Sequence, residues 1–313
     1  MKVHWFVRLA LGVALSLGSY AAAADSTGKT VHLLTVGNSF SHNATHYLGD
    51  LAKASGDTLV LREDNVGGAS MELHWGKVES FEKDPKDKNG HYGTTGKGKS
   101  LKEDLSSGHW DYVTIQQASI KSHDLSTYEP FAKELAEYIH KNAPDATLLL
   151  HETWEYRVDD PRFAVSKPKP GEPKTQDEMY EGLSKAYAAT AQELKVRRLP
   201  VGDAFHMANH DPKWGYQTPS KPFNPKEAKD GALPEQLHSL NAGWKYKTPN
   251  SKTEIIMDGH HANMAGEYLG ACVWYEVMFG KSVEDNTFVP KGLDPEYAKF
   301  LRATAHKAVA ELK

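Results

Sequence analysis

One cysteine, Cys272, occurs in 313 residues. A lone thiol cannot close an intramolecular disulfide, so the core has to hold this fold even where the surroundings are oxidising. Cys272 lies in the apolar run GACVWYEVMF and reads as a buried thiol rather than a nucleophile. Basic excess is missing too: 37 Lys and Arg face 41 Asp and Glu, a formal net charge of -4, which gives nucleic acid no electrostatic foothold. Beyond the first two dozen residues no apolar stretch approaches the roughly 20 residues a membrane-spanning helix needs. There is no internal repeat and no G-x-S-x-G elbow, which disfavours an α/β-hydrolase.

What is present begins with a leader. Met1 to Ala24 carries Lys2 and Arg8, then LALGVALSLG, then YAAAA, the pattern of a secretory signal peptide. Its removal would take away two positive charges, shift the net charge to about -6, and send the chain to the periplasm or the medium. Residues 25–313 lack a composition break and are expected to form a single domain, with surface-loop excursions near 76–105, 157–175 and 207–252.

Short β-branched or apolar runs at 30–36, 58–63, 111–116, 146–152 and 198–202 read as strands. Amphipathic candidates lie near 45–54, 128–142 and 176–195, with two terminal helices near 263–279 and 294–312. Such alternation predicts a mainly parallel five-stranded sheet covered by helices on both faces. Ligands of these sheets sit beyond the carboxyl ends of the strands, so the segments that follow the strands carry the function. These are GNSFS, DNVGGAS, QQAS and HETWEYR, with DGHH arriving late, before the penultimate helix.

A serine hydroxyl needs a base to become nucleophilic, and the base works best when a carboxylate fixes its tautomer. Asp258 and His261, three apart and expected in a turn, supply that pair, and Ser39 in GNSFS supplies the hydroxyl. Oxyanion donors are expected from the Ser39 N–H, the Gly68 N–H and the side-chain amide of Gln116, with Gln117 as the alternative. Ser41 competes with Ser39 and reads better as a helix cap; His260 competes with His261 but lacks the D-x-x-H spacing.

From LLTVGNSFS through NVGGASMELHW and WDYVTIQQAS to DGHHANMAGEYLGACVWYEVMFG, the chain resembles the SGNH hydrolases, also called the GDSL esterase/lipase superfamily. Within it the chain is similar to a bacterial branch of unknown function whose first block reads GNSFS. The resemblance implies a flavodoxin-like three-layer α/β/α sandwich and serine ester hydrolysis, with Ser39 as nucleophile, Asp258 as acid and His261 as base. The superfamily's usual Asp before the nucleophile is Asn38 here, and IQQAS stands where it usually has an Asn donor.

The function expected is an exported serine esterase that cleaves short acyl groups, acetyl foremost, from a small-molecule or saccharide ester, without cofactor or metal. Trp75 and Trp154 follow strand ends and are candidates for stacking on sugar rings. A non-catalytic carbohydrate-binding protein on the same fold is the alternative. Further behind come a lipase and a metal-dependent hydrolase built on His42, His46 and His260. Asp203, after the last strand, reads as structural.

Overall fold

The computed structural model describes Met1 and residues 28–93, 96–228, 231–248 and 251–312; the rest of the expected signal peptide lies outside the described residues. β1 (Thr30–Gly37) buries Val31, Leu33, Leu34 and Val36, side chains of both parities, because helices cover both faces of the sheet at this strand. Around it run β2 (Thr58–Asn65), β3 (Tyr112–Ile115), β4 (Thr147–His151) and β5 (Arg197–Leu199), all parallel, in the order β2-β1-β3-β4-β5. This is the expected flavodoxin-like sandwich. Its order reverses at β1, so β2 and β3 leave in opposite directions and a crevice opens beyond the carboxyl end of β1.

The helices are α1 (Ser39–Thr45), α2 (Leu48–Ala54), α3 (Met71–Lys83), α4 (Leu101–Leu105), α5 (Phe131–Asn142), α6 (Gln176–Leu194), α7 (Val201–Asn209), α8 (Met264–Phe279) and α9 (Pro295–Glu311). α8 is apolar on all sides, with 13 of its 16 residues buried, and α1, α2, α7 and α9 pack around it. Cys272 is a free, fully buried thiol on this helix, as expected. α3, α4 and α5 pack on one another, α3 and α5 also meet the strands, and α5 packs on α6. Among the described residues no helix is long and apolar enough to cross a membrane.

Three differences from the sequence reading bear on the site. The first helix starts at Ser39 itself, not near Thr45, so the nucleophile candidate is its first residue. The stretch 76–105 carries most of α3 and all of α4. The stretch 207–252 ends in a hairpin, β6 (Asn241–Thr248) with β7 (Ser251–Ala262), which forms a separate antiparallel pair.

Candidate active site

The chain turns from β1 into α1 over two residues, and each has a stated constraint. A Cβ on Gly37 would lie 2.7 Å from Gln116 Oε1 and also collide with Ser41 Oγ, so only glycine fits there. Asn38 then caps α1: its Oδ1 accepts from the Phe40 N–H at 2.9 Å. Asn38 Nδ2 donates to the Ala69 carbonyl at 2.9 Å, while the Val66 N–H donates to the Gly37 carbonyl at 2.9 Å. The turn around Gly68, whose φ of 68° suits glycine, is thereby tied to the residues flanking Ser39. Buried His74 adds a further clamp: Nε2 reaches the Gly37 carbonyl at 3.0 Å and Nδ1 meets the Tyr92 hydroxyl at 2.9 Å. Burial holds its imidazole down at about 4, so it stays neutral in this role.

Asp258 and His261 sit at the end of strand β7, not in a turn. In a regular strand residues three apart face opposite sides. Here Asn241 pairs with Ala262 and Gly243 with Asp258, so β7 carries extra residues against β6, and the bulge brings both side chains together. The Arg157 N–H donates to the Gly259 carbonyl at 2.8 Å, and a Cβ on Gly259 would lie 2.9 Å from Asp160 Cβ. His261 Nδ1 lies 3.1 Å from both Asp258 oxygens, and the His261 N–H also donates to Oδ1 at 3.1 Å. His261 Nε2 faces Ser39 Oγ at 2.8 Å across 222 residues of sequence. A carboxylate, an imidazole and a hydroxyl in this order can take the hydroxyl proton onto Nε2 while the carboxylate steadies the resulting imidazolium.

The sequence reading overlooked Lys245. From β6 its Nζ donates to Asp258 Oδ2 at 2.6 Å. Lys245 pairs in register with Ile256, which places it diagonally across from Asp258 on one face of the hairpin. Burial alone would raise the Asp258 carboxyl, but the hydrogen bonds from His261 and Lys245 outweigh it and hold it well below the usual carboxylate range. His260 Nδ1 also approaches Asp258 Oδ1, at 3.3 Å, yet it is His261 that meets Ser39. Burial lowers the His260 imidazole, with Asp258 partly offsetting.

Gln116 does not reach the cleft. Its side chain is buried beneath the loop: Nε2 donates to Asn38 Oδ1 at 2.9 Å, and Oε1 accepts from Ser41 Oγ and faces His151 Nδ1 at 3.2 Å. Gln117, of opposite parity, is equally committed, donating to the Thr127 carbonyl at 2.7 Å and accepting from the Ala118 and Met71 N–H groups. Both amides are therefore braces, because their donors and acceptors are committed to other groups of the fold. Ser41 is fully buried inside α1 rather than capping it.

Neither tryptophan is placed to stack on a ligand. Trp75 packs edge-on to Tyr138 with centroids 6.2 Å apart, outside the cleft. Trp154 is fully buried, stacked on Phe205 at 4.6 Å and tilted against Phe40 at 4.3 Å, and its Nε1 donates to the His260 carbonyl at 2.9 Å. It forms the floor under the His260–His261 segment. His42 meets Glu63 at 3.1 Å, and neither it nor His46 belongs to a potential three-ligand metal group among the described residues. Asp203 accepts from the Tyr180 and Ser184 hydroxyls at 3.1 and 3.3 Å.

The cleft holds about 460 Å³. Ser39, Gly68 and His261 line it, Phe40, Ile120 and Tyr156 give it apolar walls, and Ser119, Arg162 and His260 supply polar groups. Among the described residues the N–H groups of Ser39 and Gly68 donate no hydrogen bond, consistent with Ser39 being the first residue of a helix. Tyr156 and Arg162 come from the 157–175 excursion and its lead-in. The Tyr156 hydroxyl meets Ser119 Oγ at 3.0 Å, and Arg162 donates to Glu172 at 2.6 Å and to the Ile120 carbonyl at 3.0 Å. Tyr156 belongs to HETWEYR, one of the strand-following segments singled out in the sequence, whereas nothing in the local sequence of Arg162 announces its placement.

Residues 32–201 match the family model DUF4886, described as a domain of unknown function. No curated protein matches the chain. A crystal structure of a DUF4886 family protein from Bacteroides uniformis is similar at 25% identity and a TM-score of 0.67, covering 91% of this chain and all of that one. A candidate SGNH hydrolase from Slackia heliotrinireducens shows 20% identity and a TM-score of 0.48, over 80% of this chain and all of its own. A candidate GDSL-like lipase from Parabacteroides merdae shows 14% identity and a TM-score of 0.45, over 81% of this chain and 98% of its own.

Proposed function

We propose, from the premise that this chain belongs to the DUF4886 family, that it is an exported serine esterase removing short acyl groups from small or saccharide esters. The observation that carries the reading is the unbroken Ser39–His261–Asp258 contact at the carboxyl end of β1, with Oγ to Nε2 at 2.8 Å. Ser39 Oγ attacks the ester carbonyl as its proton passes to His261 Nε2, and the oxyanion is received by the N–H groups of Ser39 and Gly68. Collapse of the tetrahedral intermediate breaks the bond to the alkoxy oxygen, which takes the proton from His261 and leaves as the alcohol. Water, deprotonated by His261, then attacks the acyl-enzyme, and Ser39 is released with the acid.

The cleft volume of about 460 Å³ suits a small acyl group with part of its alcohol, and the polar Ser119, Arg162 and His260 favour a hydroxyl-rich alcohol over a long apolar one. With Trp75 and Trp154 occupied elsewhere, saccharide preference rests on these three residues. Export through Met1 to Ala24 is part of the same proposal, tested by N-terminal sequencing of the mature protein.

A fluorophosphonate probe followed by mass spectrometry of the adduct tests the chemistry. A Ser39 adduct together with faster turnover of acetyl than octanoyl esters is expected. An adduct on Ser41, or no adduct in a preparation that hydrolyses esters, would overturn the assignment, and no turnover of any ester would favour the binding protein.

A further inference from the structure

We propose that Asp177, His206 and His210 form a binding site for one divalent transition-metal cation of the zinc class, separate from the Ser39 cleft. The three residues each offer a ligand atom, and these atoms lie within 4.8 Å of one another. They come from two elements: Asp177 from the first turn of α6, His206 from the last turn of α7, and His210 from the cap that ends α7. Histidines four apart share one face of a helical segment, which lets both rings point toward α6.

The histidine tautomers are set by their surroundings. His210 Nδ1 lies 2.9 Å from the His206 carbonyl and donates to it, so Nε2 is the nitrogen that can offer a lone pair to a cation, in place of any proton it shares with Asp177. That Nε2 stands 3.0 Å from Asp177 Oδ1. Zinc bonds of about 2.0–2.2 Å in a tetrahedron put neighbouring ligand atoms roughly 3.3 Å apart, so this pair is spaced close to one edge of such a site. The His206 ring is held flat against Tyr180, with centroids 3.6 Å apart and planes within 5°.

A second observation points the same way. Behind His206 Nδ1, at 4.0 Å, lies Oε1 of Glu155, which is fully buried. Asn209 Nδ2 donates to that oxygen at 2.8 Å, but among the described residues Glu155 Oε2 and His206 Nδ1 have no hydrogen-bond partner. A carboxylate behind an imidazole can orient a ligating histidine with its other ring nitrogen turned to the metal; here the two groups face each other at 4.0 Å without a hydrogen bond, and a ring drawn onto a cation would have Glu155 as its nearest carboxyl. For His206 the nitrogen turned to the metal is Nε2. Two imidazoles and one carboxylate suit zinc, copper(II) or nickel far better than calcium or magnesium, and exposed Asp177 and His210 leave room for a water as the remaining ligand. None of the three residues lines the Ser39 cleft, so this proposal stands whether or not the esterase reading does.

The test uses the untagged full chain, stripped with chelator and titrated with Zn²⁺ by calorimetry, with Co²⁺ absorption as a second readout. One zinc per chain is expected, with an intense tetrahedral Co²⁺ spectrum. The melting temperature should rise by about 5 °C when free zinc exceeds the Kd about 100-fold. Asp177→Asn/His210→Gln, both exposed positions, should weaken binding by at least ~100-fold while leaving the metal-free melting temperature within about 2 °C. Glu155→Gln should weaken it by about 10- to 100-fold. Absence of zinc binding by the wild-type chain, binding that survives the double substitution, or binding abolished by His260→Gln would overturn the site.

Discussion

Two groups of the same composition, one aspartate and two histidines, stand in different parts of this protein and are set for different chemistry. At the end of β7, Asp258 is nearly buried, Lys245 occupies one of its oxygens, and His261 turns its far nitrogen to a serine hydroxyl. Between α6 and α7, Asp177 is exposed, a buried carboxyl rather than a serine stands behind one histidine, and His210 turns Nε2 toward the aspartate. Side-chain identity is shared, so the neighbours decide. An ammonium already fills the place a cation would take in the first group and favours proton transfer there. In the second group the negative partners converge with no lysine among their contacts in the described residues.

The largest effect is expected from separating the adjacent histidines of the first group. His261→Ala should lower kcat by about 10² to 10⁴-fold, since it removes the base, whereas His260→Ala should cost far less. Equal losses in steady-state assays would show that both rings share the proton. Gln116→Ala comes next. With Nε2 committed to Asn38, it acts by positioning, and the variant takes one hydrogen-bond partner from each of the buried side chains of Asn38, Ser41 and His151. A cost of about 1–3 kcal/mol in stability is expected, alongside a smaller fall in kcat. A melting temperature unchanged while kcat drops 10²-fold or more would instead make Gln116 a direct oxyanion donor.

Lys245→Met addresses the contrast itself. Asp258 keeps both contacts to His261, so kcat should fall by only about 10-fold or less. If the ammonium is what keeps cations out of the first group, the variant alone should become inhibited by micromolar zinc; equal sensitivity in the wild-type chain would remove that explanation.

The smallest effect concerns pH. Burial pushes His151, beneath Gln116, down to about 3, against about 6.5 when unfolded. Its contribution is therefore complete above pH 6.5 and is lost as the pH falls from there toward 3, because the unfolded chain takes up the proton first. His151→Asn should flatten the decline of melting temperature between pH 6.5 and 4, and a slope identical to wild type would mean that the ring is protonated in the fold.

The apolar strand runs, the helix periodicity and the D-x-x-H spacing are local properties of the chain, which is why the five-stranded parallel sheet and the candidates Ser39, Asp258 and His261 were legible in the sequence. The hairpin was not, because β6 is half polar and its strand pairing depends on a bulge opposite Asp258. Local signals were equally silent on direction. Gln116 and Trp154 follow strand ends as ligand-binding residues do, yet one is turned under the nucleophile loop and the other under His260 by partners far away in sequence.

The two His-x-x-x-His pairs show where the division falls. His42 with His46 and His206 with His210 have the same spacing, so the sequence by itself determined that each pair shares one helix face. Only the tertiary structure decided that Asp177 and Glu155 close on the second pair while Glu63 meets the first, because a coordination shell or a proton relay needs groups that chain-distant segments bring within a few ångströms.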